Sequence, residues 1–254
     1  MTSPSVTFET KCYENDWQFL LKAGRLKKMI DYCDYEFDQR ILYINNVNDL
    51  SLVKKYADKA INKGIIDSYV VVDEYAEKVM KAFNIEKESF KGGYYYSIQE
   101  LTGIYLCKTD YLLHFSGDSL LRIRNPWIDE AILRMKNDNE ILAATAFWEA
   151  RKLNTKEHQE AHGDTDFFYT IGFSDQCYLI NPLRFQADIY NEPDVFKDKY
   201  PSYGGELFEK RVNTYLRNHN LIRIASKNAA YRHRNYPKLQ WKRWLWINMG
   251  IKIE

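Results

Sequence analysis

Residues 111 to 119, YLLHFSGDS, set a short strand-like run, apolar except for His114, directly against a Ser-Gly-Asp turn. A carboxylate just past a buried strand can hold a divalent cation. Such a cation is a usual way to balance a phosphate-bearing ligand where no backbone loop does so. No such loop is present, since neither G-x-G-x-x-G nor G-x-x-x-x-G-K occurs. Asp118 is therefore the first candidate metal ligand. A literal Asp-x-Asp stands at Asp164-Thr165-Asp166, but no apolar strand precedes it and it reads as a solvated acidic loop. His158 and His162 have the i, i+4 spacing of a helical zinc site. Gln159 follows the first histidine where a metalloprotease needs Glu, so the pair reads as surface residues.

Three carboxylates are candidates for a general base, which must reach an acceptor hydroxyl within hydrogen-bond distance. Glu206 stands at a helix start after Gly204-Gly205, where the helix dipole stabilises the carboxylate and lowers its basicity. Glu209 lies one turn further on. Asp175 lies in the loop Gly172-Phe173-Ser174-Asp175-Gln176, which could equally meet an acceptor. His233 lies between Arg232 and Arg234, and those charges favour the neutral imidazole that metal binding requires.

The elements that must position these groups alternate. Strands are predicted at 6–13, 40–47, 68–73 and 111–115. Helices are predicted at 16–32, 49–62, 75–83 and 97–107. Four strand-helix units in series imply a doubly wound parallel sheet with its ligand crevice beyond the carboxyl ends of the strands. Lys11, Glu14, Asn45, Asn46, Asp73, Asp118 and Ser119 would converge there. The second half is less regular. It shows a helix at 127–135, a strand at 141–147, a polar loop at 150–166, a strand at 177–180, a helix at 206–217 and a strand at 221–225. A tail of basic and aromatic residues follows at 231–246.

Composition sets bounds. The chain has 254 residues and a formal net charge of +1, which argues against nucleic acid as a partner. Aromatic residues make up 15% of it, a composition suited to stacking on sugars and bases. Cys12, Cys33, Cys107 and Cys177 form no C-x-x-C pair and are expected to be reduced and buried. The N-terminus shows no secretory pattern and no run is long enough to span a membrane, so the expected location is cytoplasmic.

Three segments together resemble GT-A glycosyltransferases. YLLHFSGDS is similar to the strand and D-x-D turn that hold the metal and the donor diphosphate, with Ser116 in place of the first Asp. Ser116 can bond a ribose hydroxyl but is a poor metal ligand. GGELFEKRV, residues 204 to 212, is similar to the acidic helix start that supplies the base in inverting members. AYRHR, residues 230 to 234, is similar to the late histidine that completes the metal site.

The resemblance implies one GT-A-like α/β domain. Residues 1–120 would be its nucleotide-sugar half and residues 121–254 an acceptor-side extension. It implies a Mn2+ or Mg2+ ion on Asp118 and His233, and a donor held by Lys11, Asn45, Asn46, Asp73, Ser116 and Asp118. Transfer would go with inversion to a glycan or lipid-linked acceptor in polysaccharide biosynthesis, with Glu206, or its rival Asp175, as base. The tail at 231–246 is expected either to clamp the domain or to contact a membrane surface. A sugar-phosphate nucleotidyltransferase is the alternative within the fold class, but residues 11 to 16 read KCYEND where those enzymes carry a Gly-rich loop with Arg or Lys. A non-catalytic carbohydrate-binding module is the alternative outside it.

Overall fold

The computed structural model describes residues 3–149, 162–194, 206–233 and 235–250. The first half follows the predicted alternation. Strands β1 (Val6–Cys12), β2 (Gln39–Ile44), β3 (Ser68–Val71) and β4 (Tyr111–Phe115) pair in parallel in the order β3-β2-β1-β4. Between them run α1 (Trp17–Leu21), α2 (Arg25–Tyr32), α3 (Leu50–Asn62), α4 (Ala76–Ala82) and α5 (Ile98–Leu106). The predicted helix over 16–32 is two helices, because Gly24 takes a left-handed φ of 72° and breaks the hydrogen-bond ladder. Helix α3 starts at Asp49, whose carboxylate accepts from the Leu52 amide at 2.9 Å.

Alternation along each strand feeds two cores. Leu42 and Ile44 join a cluster with Phe8, Leu20, Leu26 and Val53 on one face of the sheet. Tyr43 turns to the other face and packs with Val79, Leu101, Leu112 and Tyr178. Helices cover both faces, so every residue of β4 is buried.

The second half extends the same sheet with mixed direction. After the Ser-Gly-Asp turn the chain returns as β5 (Ser119–Leu121). Helix α6 (Ile128–Asn137) then leads to β6 (Ile141–Trp148), β7 (Phe167–Thr170) and β8 (Cys177–Ile180). Helices α7 (Pro182–Phe185) and α8 (Phe208–Asn218), strand β9 (Ile222–His233) and helix α9 (Gln240–Met249) complete the described elements. Strand β8 lies antiparallel beside β4, and the order continues β8-β6-β9-β5 with β7 on β9.

Three features differ from the sequence expectation. Strand β9 continues to His233, where the expected strand ended at 225. A register shift against β6 between Ala146 and Phe147 lets its polar stretch at Lys227 and Asn228 stand out while pairing resumes at Ala230. Strand β5 was not expected, nor was β7, which emerges from the end of the predicted polar loop. The tail forms a helix after Pro237, whose position before the helix leaves the ladder intact.

Candidate active site

Sheet register assembles the site. Strand β8 runs antiparallel to β4, with Phe115 opposite Cys177, and the Ser116 amide donates to the Gln176 carbonyl at 2.9 Å. The start of β8 therefore lies beside the end of β4, which sets Asp175 next to the Ser116-Gly117-Asp118 turn. Strand β9 arrives from the other side, with His233 opposite Ser119. His233 Nε2 then meets Asp118 Oδ2 at 3.1 Å.

The turn itself is tightly held. A Cβ on Gly117 would come within 2.8 Å of both the Lys11 carbonyl and Asp16 Oδ2, so only glycine lets the turn sit this close to the end of β1. The Gly117 carbonyl accepts from the Tyr236 hydroxyl at 2.6 Å, and the Asp118 carbonyl from the Arg25 guanidinium at 2.7 Å. Ser116 Oγ donates to Asp118 Oδ1 at 3.1 Å and shares a 2.7 Å bond with Ser119 Oγ.

Charge within the site is balanced through neighbours. Burial pushes the Asp118 carboxyl up, but the bond and charge of His233 and the Ser116 hydroxyl outweigh it and hold it below the usual carboxylate range. The bond to Asp118 raises His233 in turn, which favours the charged imidazole and corrects the expectation that the flanking arginines keep it neutral; a cation bound here would have to displace that proton. Asp175 is raised by burial, with Lys11 and His233 opposing and Asp118 adding to the rise. Lys11 is ion-paired with the fully buried Glu100 of α5. Burial opposes the Lys11 charge, yet Glu100, Asp175 and Asp118 together raise its pKa. Burial moves Glu100 to about 7 against the pull of Lys11.

Asp118 and His233 suit a divalent cation. Neighbouring ligands of an octahedral ion with bonds of about 2.1 Å lie roughly 3.0 Å apart, which the 3.1 Å separation of Asp118 Oδ2 and His233 Nε2 matches. A carboxylate held ionised and an imidazole are hard and borderline ligands that such an ion accepts. Among the described residues there is no group of three or more His, Cys, Asp or Glu side chains placed to hold a metal ion, so Asp118 and His233 stand as a pair.

The remaining expected site residues are placed as follows. Asn45 ties the end of β2 to the tyrosine turn at 94–96, donating to the Tyr95 carbonyl at 2.9 Å. Asn46 takes a left-handed φ of 49°, and its carbonyl accepts from the Glu14 amide. Asp73 sits in a 3₁₀ turn after β3, exposed and close to Tyr94. Glu206 is paired with Lys210 at 2.7 Å, and its backbone bonds Ser89 and Arg211. None of these contacts reaches the Asp118 turn. Asp164 caps the start of β7, accepting from the Asp166 and Phe167 amides, and Arg134 bridges Asp164 and Asp166. His162 lies beside β7 in a backbone bond to Tyr169, while His158 and Arg234 fall outside the described residues. The four cysteines are free and buried.

Sequence reasoning did not find Asp16, Arg25, Glu100 or Tyr236. Asp16 is buried at the loop after β1 and accepts from the Tyr13 amide at 2.7 Å, with its carboxyl raised well above the usual range by burial. The signal for Glu100 was legible in principle: a Gln-Glu pair inside an otherwise apolar helix at 98–106 is unusual unless it is partnered.

No family model and no curated protein matches the sequence. Among solved structures the chain is similar to a mycobacterial protein, with TM-score 0.51 and 13% identity over 92% of this chain and 69% of that one. It is also similar to GalNAc-T7, solved with UDP, GalNAc and Mn2+, with TM-score 0.56 and 8% identity. That match covers 92% of this chain but only 44% of the other. With the parallel β3-β2-β1-β4 half, the antiparallel β8 beside it and the polar turn at the end of β4, the chain has the GT-A glycosyltransferase fold.

Proposed function

We propose that this protein is a metal-dependent glycosyltransferase that moves a sugar from a nucleoside-diphosphate donor to a hydroxyl acceptor. The observation that carries the reading is the meeting of Asp118, His233, Asp175 and Lys11 at the carboxyl edge of β1 and β4 in a GT-A sheet. GalNAc-T7, which shares the fold, was solved with UDP and Mn2+.

When bound to Asp118 and His233, Mn2+ or Mg2+ supplies positive charge for the departing diphosphate. Arg25 and Tyr236 hold the turn that carries Asp118 by its backbone carbonyls, so the ligand keeps its aim without spending its own side chain. Lys11 adds a fixed cation at the end of β1, anchored from below by Glu100. Asn45, Asn46, Asp73 and Ser116 lie along the strand ends as donor contacts.

Asp175 is the base we favour. Burial raises its carboxyl towards the range in which a base works at neutral pH, and it lies near enough to Asp118 and His233 to feel their charges. It would take the acceptor proton as the hydroxyl attacks the anomeric carbon from the side opposite the diphosphate, which inverts that centre. Glu206 is the second candidate, and its ion pair with Lys210 must open before it can act. The acceptor is a glycan or a lipid-linked glycan.

The reading is tested by incubating the protein with a panel of nucleotide sugars and Mn2+ and following release of nucleoside diphosphate. Metal-dependent release is expected. No release with any donor, with or without acceptor glycans, would sink it. The anomeric configuration of the product decides inversion.

A further inference from the structure

Helix α9 bears two tryptophans that the fold does not cover. Trp241 is 55% exposed and Trp244 58%, flanked by Leu239 and Met249 at 56% and 58%. Large apolar side chains grouped in this way mark a contact surface. The opposite side of the helix is the anchor. Trp246 packs edge-on against Phe19 with ring centroids 5.0 Å apart, and Phe19 stacks on Tyr236 at 4.0 Å. Arg243 lies over the Phe19 ring and donates to the Asn15 carbonyl at 2.8 Å. The tail thus both clamps the domain and presents a second, outward face.

The C-terminal stretch of sequence that ends in this helix is one-sided in charge. Residues 210 to 253 contain eleven Lys and Arg and no Asp or Glu, although the whole chain has 36 of the first and 35 of the second. The rest of the chain is therefore net acidic. Lys242 lies over the Trp241 ring, and Lys238 stands two residues before the start of the helix. Indoles beside lysines on a short surface helix suit the headgroup layer of an anionic bilayer, where the rings settle at the interface and the cations meet lipid phosphate. A long polyanion such as RNA would also meet the acidic remainder, whereas a membrane engages one face alone.

We propose that the exposed side of α9 at Trp241, Lys242, Trp244 and Met249, with Lys238 and Leu239 just before the helix, docks the protein on an anionic membrane surface. Through the Tyr236 bond to the Gly117 carbonyl, the docked helix is joined to the turn that carries Asp118. Docking would thus hold the candidate site beside the lipid surface. The docking itself does not depend on the transfer reading.

The test is co-sedimentation of the full chain with phosphatidylcholine vesicles, with and without phosphatidylglycerol, at low and high salt. Tryptophan emission is followed in parallel. Binding to the anionic vesicles alone, reversed by salt and accompanied by a blue shift, is expected. Trp241→Ser with Trp244→Ser should abolish the blue shift and the binding. Lys238→Glu with Lys242→Glu should weaken binding by on the order of tenfold or more. Thermal unfolding and solution hydrolysis of donor should stay as in the parent. Absence of binding to anionic vesicles at low salt overturns the proposal. So does equal binding by the tryptophan variant, or a concentration-dependent dimer that the tryptophan variant loses. If vesicle binding holds while no nucleotide sugar is turned over, docking stands and the transfer reading falls.

Discussion

Asp118 and His233 touch at 3.1 Å although one follows β4 and the other ends β9. The β5–β9 ladder, which pairs Ser119 with His233, brings them together. This contact gives a direct prediction. Asp118→Asn should lose most Mn2+ affinity and lower sugar transfer by on the order of 10²–10³-fold, as loss of one transition-state charge stabiliser does. His233→Gln should weaken metal binding in the same direction. Calorimetric titration of Mn2+ with UDP present, beside turnover, checks both. Unchanged metal dependence in Asp118→Asn would remove the turn from the metal site.

Asp175 and Glu206 make separable predictions. Asp175→Asn should keep donor affinity and lose about 10²–10⁴-fold in turnover, the range of a general base. Glu206→Gln should stay close to the parent, because its carboxylate serves an ion pair with Lys210 away from the Asp118 turn. The reverse pattern of kcat values would reassign the base to Glu206.

The buried Glu9 carboxyl should make stability fall as pH rises. It bonds His114 Nδ1 at 3.0 Å, and burial together with the Glu100 charge pushes its pKa well above the usual range. From about pH 4.3, where an unfolded Glu ionises, the folded chain holds a proton that the unfolded chain has lost. Its contribution is complete below that pH and declines as pH rises through the folded value. Glu9→Gln mimics the protonated form. Its urea midpoint should lie progressively above that of the parent as pH increases from 5 to 8, on the order of 1 kcal/mol per pH unit within the window. A constant difference across that range would show that Glu9 does not carry the effect.

Gly103 of α5 is required by the same carboxyl. A Cβ there would run into the Glu9 carboxylate. Gly103→Ala should destabilise by about 1–3 kcal/mol, as overpacking does, despite the better helix propensity of alanine. Adding Glu9→Ala should remove the collision, so the double variant should cost less than the sum of the two singles. Additive costs in urea unfolding would show that the two do not meet.

By itself the sequence determined the elements of the first half and the chemical character of the Ser-Gly-Asp turn after β4. Period-two strands between 3.6-period helices are local patterns, and the sharp change from YLLHF to SGD marks a strand end wherever the strand later packs. The sequence also supplied Asp118 and His233, as residue types that bind metal. Only the tertiary structure decided what stands beside them. Asp175 faces the turn because β8 runs antiparallel to β4, and the direction of a strand is not written in its own residues. The extension of β9 to His233 depends on a register shift against β6 that lets a polar stretch bulge out before pairing resumes. Lys11 and Glu100 form a pair because α5 packs across the end of β1, and Arg25 and Tyr236 reach the turn from segments far away in the chain. Such contacts are fixed by long-range packing, whose partners a one-dimensional pattern does not name.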